Sequence, residues 1–183
     1  MRRLLVAIAL AVFPGVSTGA DSPPALHIEH GACPFECCVY RAWRTEAETV
    51  VYATPDGNAR VLGRLKAGVT VQAITGEVHA SPVRFVVTTP HARYKPGDTL
   101  WVYAYLGEGH FTVWRDGAMH EEDLGFSPYG GSPDARCENR AQCWGELETE
   151  LKLRWWVKVR SDDGAEGWSN QPDHFGNKDA CGG

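Results

Sequence analysis

The sequence predicts an all-β protein, and three observations support that prediction. Segments rich in valine, leucine, isoleucine and aromatic residues are short, and glycine, proline and aspartate separate them, as is typical of strands joined by turns. Residues 99–106 alternate strictly between two faces, as a half-buried strand does. Only residues 146–153 have a pattern compatible with a helix, of about two turns. This combination favours a barrel or a sandwich.

Four short segments form the first half of the predicted sheet. They comprise residues 49–53, 61–65, 69–74 and 83–88. The Pro55-Asp-Gly sequence supplies a turn after the first segment, and Lys66-Ala-Gly separates the second segment from the third. We expect residues 91–98, which follow the fourth segment, to form a loop.

The most regular segment, residues 99–106, is expected to pair with the next one. Its apolar face comprises Leu100, Val102, Ala104 and Leu106, and its aromatic face comprises Trp101, Tyr103 and Tyr105. A glycine-rich turn leads into residues 111–114, and the Asp116-Gly sequence is a strong signal for a tight turn.

The C-terminal part begins with a predicted loop. Residues 125–146 hold glycine, proline, serine, asparagine and two cysteines, and a Cys137–Cys143 pair would close this loop locally. Residues 155–160 have the composition of a strand and residues 162–164 that of a hairpin turn, and Gly167 begins a last strand.

The N-terminal residues predict export. Arg2 and Arg3 precede an apolar run over residues 4–13, and residues 18–20 are small, as a signal peptidase requires. The run has about half of the ~20 residues that a membrane-spanning helix needs, so we expect cleavage and no membrane anchor. The predicted location is periplasmic or secreted.

Cleavage after residue 20 would make the protein more acidic. Residues 1–20 contain two arginines and no acid, so their loss changes the formal net charge from −5 to −7. An acidic domain repels phosphate backbones and anionic lipids, which disfavours nucleic acids and membranes as partners. The remaining ~160 residues suit one domain with a sizeable core.

All six cysteines follow the predicted cleavage point: Cys33, Cys37, Cys38, Cys137, Cys143 and Cys181. An even number of cysteines in an exported chain predicts a disulfide framework, whose pairing the spacing leaves open. We expect Cys181 to tie the C-terminal tail to the N-terminal cysteines. Cys37 and Cys38 would point to opposite sides of an extended chain, so we expect them to take different partners.

Two separated stretches resemble the bacterial SH3-like (SH3b) domain family. Residues 51–71 are similar to its opening strand, long loop and hairpin, and they contain the pattern hydrophobic-Gly-x-Leu-x-x-Gly-x-x-Val from Leu62 to Val71. Residues 156–168 are similar to the closing hairpin of the family. In the family a short loop joins these halves, whereas here a long insertion, residues 79–153, lies between them.

The resemblance implies an all-β, disulfide-stapled SH3-like barrel with an inserted β-hairpin or sheet element and at most one short helix. Its expected parts are a signal peptide (1–20), a cysteine-rich N-terminal segment (21–48), the first part of the barrel (49–78), a β insertion with a cysteine-containing loop (79–153), and the closing part with the C-terminal tail (154–183).

The family resemblance also implies a function. SH3b domains are binding or scaffolding modules without catalytic activity, so we expect an exported envelope module that binds a peptide, a glycan such as peptidoglycan, or another envelope protein. Two alternatives remain open: a small envelope hydrolase whose site the insertion completes, and a structural or inhibitory partner of a secreted protein. A cleft that joins two carboxylates, or a free thiol, to a histidine would favour the enzyme.

Aromatic residues are the candidate binding residues. Trp101, Tyr103 and Tyr105 on one strand face, with Trp114 on the next strand, would present ring faces to a ligand if they were exposed. Alternatively, these rings fill the seam between the insertion and the barrel, because large aromatic side chains are usually buried.

Strand alternation near the C-terminus selects two further candidates. If Val157 and Val159 face the core, Trp155 does too, whereas Trp156 and Arg160 face outward. Trp156 is therefore the strongest candidate for an exposed ring.

No residue set predicts catalysis, a cofactor or a metal. Residues 27–38 contain histidines and cysteines, but they lack a second half at metal-finger spacing, and thiols in an oxidising compartment pair with one another first. Six cysteines leave no odd thiol to act as a nucleophile. The acidic run at residues 121–123 lacks the alternating ligands and the glycine of a calcium loop.

Overall fold

The computed structural model describes residues 22–35, 37–128 and 143–181. Within these ranges the chain forms thirteen β-strands, one 3-10 turn (Pro172–His174) and no α-helix, which confirms the predicted all-β class. In chain order the strands are β1 His27–His30, β2 Ala42–Thr45, β3 Thr49–Tyr52, β4 Val61–Leu65, β5 Thr70–Ser81, β6 Val83–Val87, β7 Thr99–Gly107, β8 His110–Arg115, β9 Ala118–Asp123, β10 Gly145–Leu147, β11 Lys152–Arg160, β12 Glu166–Ser169 and β13 Phe175–Gly176.

The short helix expected over residues 146–153 is wrong. Residues 145–147 form β10, which pairs with β6, and β11 begins at Lys152. Leu147 is buried between exposed Glu146 and Glu148, which is the two-residue period of a strand. Burial of Leu147 in the core therefore overrides the helical propensity of the glutamates and leucines around it.

The first sheet curls into a half-barrel around the long strand β5. Its strand order is β13-β2-β5-β11-β12-β3-β4, and β1 also pairs with β5. One edge of β5 pairs first with β2 and then with β1, and the other edge pairs with β11 along its length. Two strands that the sequence pattern does not predict, β1 and β2, thus come from the cysteine-rich N-terminal segment.

The inner face of the first sheet holds a compact aromatic core. Trp43 is fully buried between Tyr40, Trp155 and Phe175, with ring centroids 5.6–6.0 Å apart. Val157 and Val159 belong to the same cluster. The predicted inward direction of Trp155 is therefore confirmed.

The inserted residues form a second, five-stranded antiparallel sheet. Its order is β10-β6-β7-β8-β9, and the chain enters it after β5 and leaves it before β11. One face buries Phe85, Leu100 and Phe111 under loop residues that include Tyr94 and Trp144. The insertion thus has a core of its own, as the predicted β element requires.

Two disulfides join the N-terminal segment to itself and to the C-terminal tail. Cys33 pairs with Cys38, and Cys37 pairs with Cys181 across a sequence separation of 144. Both expectations are confirmed: Cys181 reaches the N-terminal cysteines, and Cys37 and Cys38 take different partners. Cys37 has a φ of 63°, so the two side chains diverge at a left-handed turn and not along an extended chain. Cys143 is disulfide-bonded, and its predicted partner Cys137 lies outside the described residues.

The two sheets meet at a small cluster of buried side chains. Tyr103 of β7 and Trp114 of β8 pack against Ala80 of β5. Tyr103 has no exposed surface, and its hydroxyl donates a hydrogen bond to the Pro24 carbonyl oxygen at 2.7 Å. Burial raises the pKa of Tyr103 to about 12, because the phenolate loses its hydration at this seam.

We expect the free energy of unfolding to fall as the pH rises above about 10. Below that pH the Tyr103 phenol is neutral in both states; between about 10 and about 12 the unfolded chain alone releases the proton, which stabilises the unfolded state. The shift in the pKa of Tyr103 corresponds to a loss of about 2–3 kcal/mol in the free energy of unfolding. Urea unfolding at increasing pH measures this loss, and Tyr103→Phe is the control because it removes the titrating hydroxyl. An equally steep alkaline loss in Tyr103→Phe would contradict the assignment.

Candidate functional site

Most of the aromatic residues predicted to bind a ligand are buried. Tyr103 has no exposed surface, Trp114 is 9% exposed and Trp101 is half-buried. All three belong to the cluster at the junction of the two sheets. The alternative that these rings fill the seam between the insertion and the barrel is therefore confirmed for them, and Tyr103 and Trp114 do not meet the condition of exposure for a binding face.

A β-bulge separates Tyr105 from that group. The pairing of β7 with β8 shifts by one residue between Val102 and Ala104, so the alternation of side chains shifts as well. Tyr105 then packs, half-buried, against the core of the second sheet, and Leu106 becomes 47% exposed. The prediction that Tyr105 shares a face with Tyr103 is wrong, because strict alternation in sequence does not reveal a bulge.

The predicted exposure of Trp156 is also wrong. Its ring lies on the outer face of the first sheet, as alternation predicts, but it is only 1% exposed. The rings of Tyr52 and His79 cover it, with centroids 5.6 Å and 6.2 Å away. Arg160 is exposed, as predicted, and pairs with Glu166 at 2.6 Å.

Trp156 forms part of the floor of a groove on the outer face of the first sheet. The groove has a volume of about 660 Å³. Residues at β1 and in the loop between β3 and β4 line its sides, and alternate residues of β5 and β11 form its floor. The lining residues are Leu26, Ile28, Pro55, Asp56, Gly57, Glu77, His79, Ser81, Lys152, Leu153, Arg154 and Trp156.

The strand register arranges the floor in rows. Ile28 and Arg154 lie on either side of His79, and Trp156 lies beside Glu77. Residues directly opposite each other on neighbouring strands share one face of a sheet. The groove therefore has three parallel strips. Leu26 and Ile28 form an apolar strip at β1. Glu77, His79 and Ser81 form a polar strip on β5, and Lys152 and Arg154 form a cationic strip on β11.

The two carboxylates of the groove are already hydrogen-bonded within the chain. Glu77 lies between two histidines, with Oε1 2.9 Å from Nδ1 of His30 and Oε2 3.0 Å from Nε2 of His79. The side chains of Glu77 and His79 are each 14% exposed. Asp56 Oδ1 accepts a hydrogen bond from the Asn58 amide at 2.8 Å, which caps the loop between β3 and β4.

The two cations of the groove have no such partners. Lys152 and Arg154 are exposed, and among the described residues neither makes an ion pair or a side-chain hydrogen bond. Further along the same strand, Lys158 and Arg160 both pair with Glu166, at 2.7 Å and 2.6 Å. Strand β11 thus carries one pair of cations that shares the Glu166 carboxylate and one pair that is free to bind an anion.

The histidines and cysteines of residues 27–38 do not converge on one point. His27 and His30 lie on opposite faces of β1, where His27 packs edge-on against Tyr103 and His30 binds Glu77. The cysteines of this segment are in disulfides, so they do not supply thiolate ligands.

The acidic run at residues 121–123 belongs to strand β9 and not to a solvated loop. Glu121 pairs with His110 at 2.9 Å, and Glu122 pairs with Arg93 at 2.9 Å. The Asp123 carboxylate accepts a hydrogen bond from the Gly125 amide in the turn that follows. Each acid thus has a structural partner.

Sequence reasoning missed the groove, although part of its signal was present. Lys152, Arg154 and Trp156 alternate with the period of a strand, but the helical interpretation of residues 146–153 hid that alternation. The opposite wall depends on the pairing of β1 with β5, which no local pattern reveals.

Fold and site together define an all-β protein in which a curled half-barrel sheet, extended by an inserted sheet and stapled by disulfides, bears a groove on its outer face. Comparison of the chain with protein-family models, with curated proteins and with solved structures finds no match. Among the described residues, no helix has the length and apolar character to cross a membrane.

Proposed function

We propose that this protein is an exported, non-enzymatic SH3-like binding module of the cell envelope, and that its ligand lies in the groove on the outer face of the first sheet. The groove is the observation on which the proposal rests. Its volume of about 660 Å³ lies within the range of known ligand sites, and it combines an apolar wall with two cations, Lys152 and Arg154, that have no ion-pair partner among the described residues.

Two features support the export part of the proposal. Residues 1–20 have the pattern of a signal peptide. Disulfides such as Cys37–Cys181 persist mainly in oxidising compartments, which include the periplasm and the extracellular space.

A peptide-display selection with a groove-filled variant tests the proposal. Ser81→Trp places a large ring on the floor between β1 and β11, whereas Thr149→Trp adds the same ring at an exposed position outside the groove. We expect peptides selected on the wild type to bind Ser81→Trp at least tenfold more weakly and Thr149→Trp unchanged. Circular dichroism checks that both variants fold. Equal binding by Ser81→Trp and the wild type would reject the groove as the site.

One observation favours the hydrolase as a second candidate. The groove joins two carboxylates, Asp56 and Glu77, to His79, which is the arrangement expected of a small envelope enzyme. Against it, both carboxylates are engaged in hydrogen bonds within the chain. Mass spectrometry of peptidoglycan fragments and peptides incubated with the protein distinguishes the two functions, since cleavage that Glu77→Gln abolishes would establish the enzyme.

A further inference from the structure

We propose that the ligand of the groove is an extended acidic peptide in which acidic and apolar side chains alternate. This inference rests on the proposed function of the groove as a binding site and specifies the chemistry of its ligand. The inference rests on Lys152 and Arg154, which have no ion-pair partner in the described part of the chain and face the apolar strip of Leu26 and Ile28 across strand β5.

The spacing of the two cations matches an extended peptide. Lys152 and Arg154 are two residues apart on one strand, so their Cα atoms are separated by about 6.6–6.8 Å. Alternate side chains of an extended peptide have the same separation. A peptide that runs along β5 therefore places one acidic side chain beside Lys152 and the next acidic one beside Arg154. The planar guanidinium of Arg154 can donate two parallel hydrogen bonds to a carboxylate.

The opposite side of the groove defines the other half of the pattern. Strands β1 and β11 flank β5, so the apolar strip and the cations are about 10 Å apart, or two strand spacings. A peptide above β5 directs successive side chains to opposite sides. Those that do not reach Lys152 and Arg154 reach Ile28 and Leu26, and Leu26 is 49% exposed with apolar surface to bury.

The Glu77 carboxylate lies away from the Lys152 end of the groove. Glu77 pairs with Trp156 in the register, four residues along β11 from Lys152, and its carboxylate is held by His30 and His79. Asp56 lies in the loop on the far side of β11, where a Cβ atom at the next residue, Gly57, would lie 3.9 Å from Nη1 of Arg154, and its carboxylate caps a turn. Repulsion of an acidic ligand by Glu77 therefore concentrates at one end of the groove, and Lys152 lies at the other end.

The charge of the whole chain indicates how recognition would occur. The protein carries a formal net charge of −5, so its long-range field does not attract an acidic peptide. Attraction by Lys152 and Arg154 acts mainly within about 8–10 Å, the Debye length at ordinary salt. Because no long-range attraction speeds association, and because most changes within one interface alter the dissociation rate, we expect the preference for acids to appear mainly in the dissociation rate.

Fluorescence anisotropy with labelled synthetic peptides and the full chain tests the inference. The probes are one peptide with alternating glutamate and valine, the same peptide with glutamine or lysine in place of glutamate, and a peptide of the same composition with glutamates and valines in separate blocks. We expect the alternating acidic peptide to bind at least tenfold more tightly than the other three. Equal affinities for the glutamate and lysine peptides would overturn the inference.

Charge reversal supplies a gain-of-function test. Lys152→Glu/Arg154→Glu should reverse the preference, so that the lysine peptide binds more tightly than the glutamate peptide. The control Lys66→Glu/Lys95→Glu changes the net charge equally at exposed positions outside the groove, and its preference should remain that of the wild type. An unchanged preference in the groove variant would overturn the inference.

The groove-filled variant separates failure of this inference from failure of the proposed function. If the glutamine and glutamate peptides bind equally well and Ser81→Trp weakens both, the acidic preference is wrong while the groove remains a binding site. If Ser81→Trp leaves the binding of every peptide unchanged, the groove is not the site and both proposals fail.

Discussion

Removal of the Cys37–Cys181 disulfide should lower the free energy of unfolding by about 5 kcal/mol. The bond closes a loop with a sequence separation of 144, so in the oxidised chain it restricts the unfolded state strongly. In the folded state it holds the C-terminal tail against the N-terminal segment, where the Ala180 amide donates a hydrogen bond to the Cys37 carbonyl oxygen at 2.8 Å. Phe175, a few residues earlier, packs on Trp43 in the core.

The other disulfide between described residues, Cys33–Cys38, provides a matched comparison. Cys33 and Cys38 are separated by only five residues, so the same loop-entropy relation gives about 2 kcal/mol for their bond. Urea unfolding of Cys37→Ala/Cys181→Ala and Cys33→Ala/Cys38→Ala without reductant measures both losses. Equal losses would show that the loop-entropy explanation is wrong for this chain.

Replacement of Gly76 by alanine should cost about 3 kcal/mol, at the upper end of the range for overpacked cores. Gly76 lies in the middle of β5, and a Cβ atom there would overlap the Tyr40 hydroxyl. The same atom would lie 2.6 Å from Trp155 Nε1 and 2.8 Å from the Ala32 carbonyl oxygen. The Tyr40 hydroxyl donates its hydrogen bond to that carbonyl oxygen, so a shift that admits the methyl group must break this contact.

Gly63 is the control for this substitution. It also lies within a strand, β4, but no atom lies within 4 Å of the position of its Cβ. We expect Gly63→Ala to be neutral or slightly stabilising, since alanine reduces the freedom of the unfolded chain. The difference in unfolding midpoint between the two variants measures the steric effect, and a loss below about 1 kcal/mol in Gly76→Ala would contradict it.

Local signals in the sequence predicted several elements correctly. The Asp116-Gly turn is an example: both residues have positive φ, 52° and 84°, and Arg115 pairs with Ala118 across the turn. Turns of this kind match the twist of the two strands and are the commonest two-residue connections, so the dipeptide is a strong local signal for the hairpin. The expectation that Cys37 and Cys38 take different partners was likewise correct, although their side chains diverge at a left-handed turn and not along an extended chain.

Other elements depended on contacts that no local pattern contains. Strand β1 is short, and it forms because the C-terminal half of β5 offers it an unpaired edge. The bulge in β7 changed the face of Tyr105, and a bulge leaves no mark in an alternating sequence. The SH3b resemblance and the export signal stay predictions, since they concern ancestry and processing.

Trp156 shows most clearly which properties the sequence alone determines and which depend on the tertiary structure. The sequence alone determined which side of β11 its ring occupies, because a strand alternates with a period of two whatever surrounds it. Only the tertiary structure decided that Tyr52 and His79 cover the ring, while Lys152 and Arg154, on the same face of the same strand, remain open. The reason is physical: side-chain direction is a property of the local backbone, whereas burial depends on neighbours that come from distant parts of the chain.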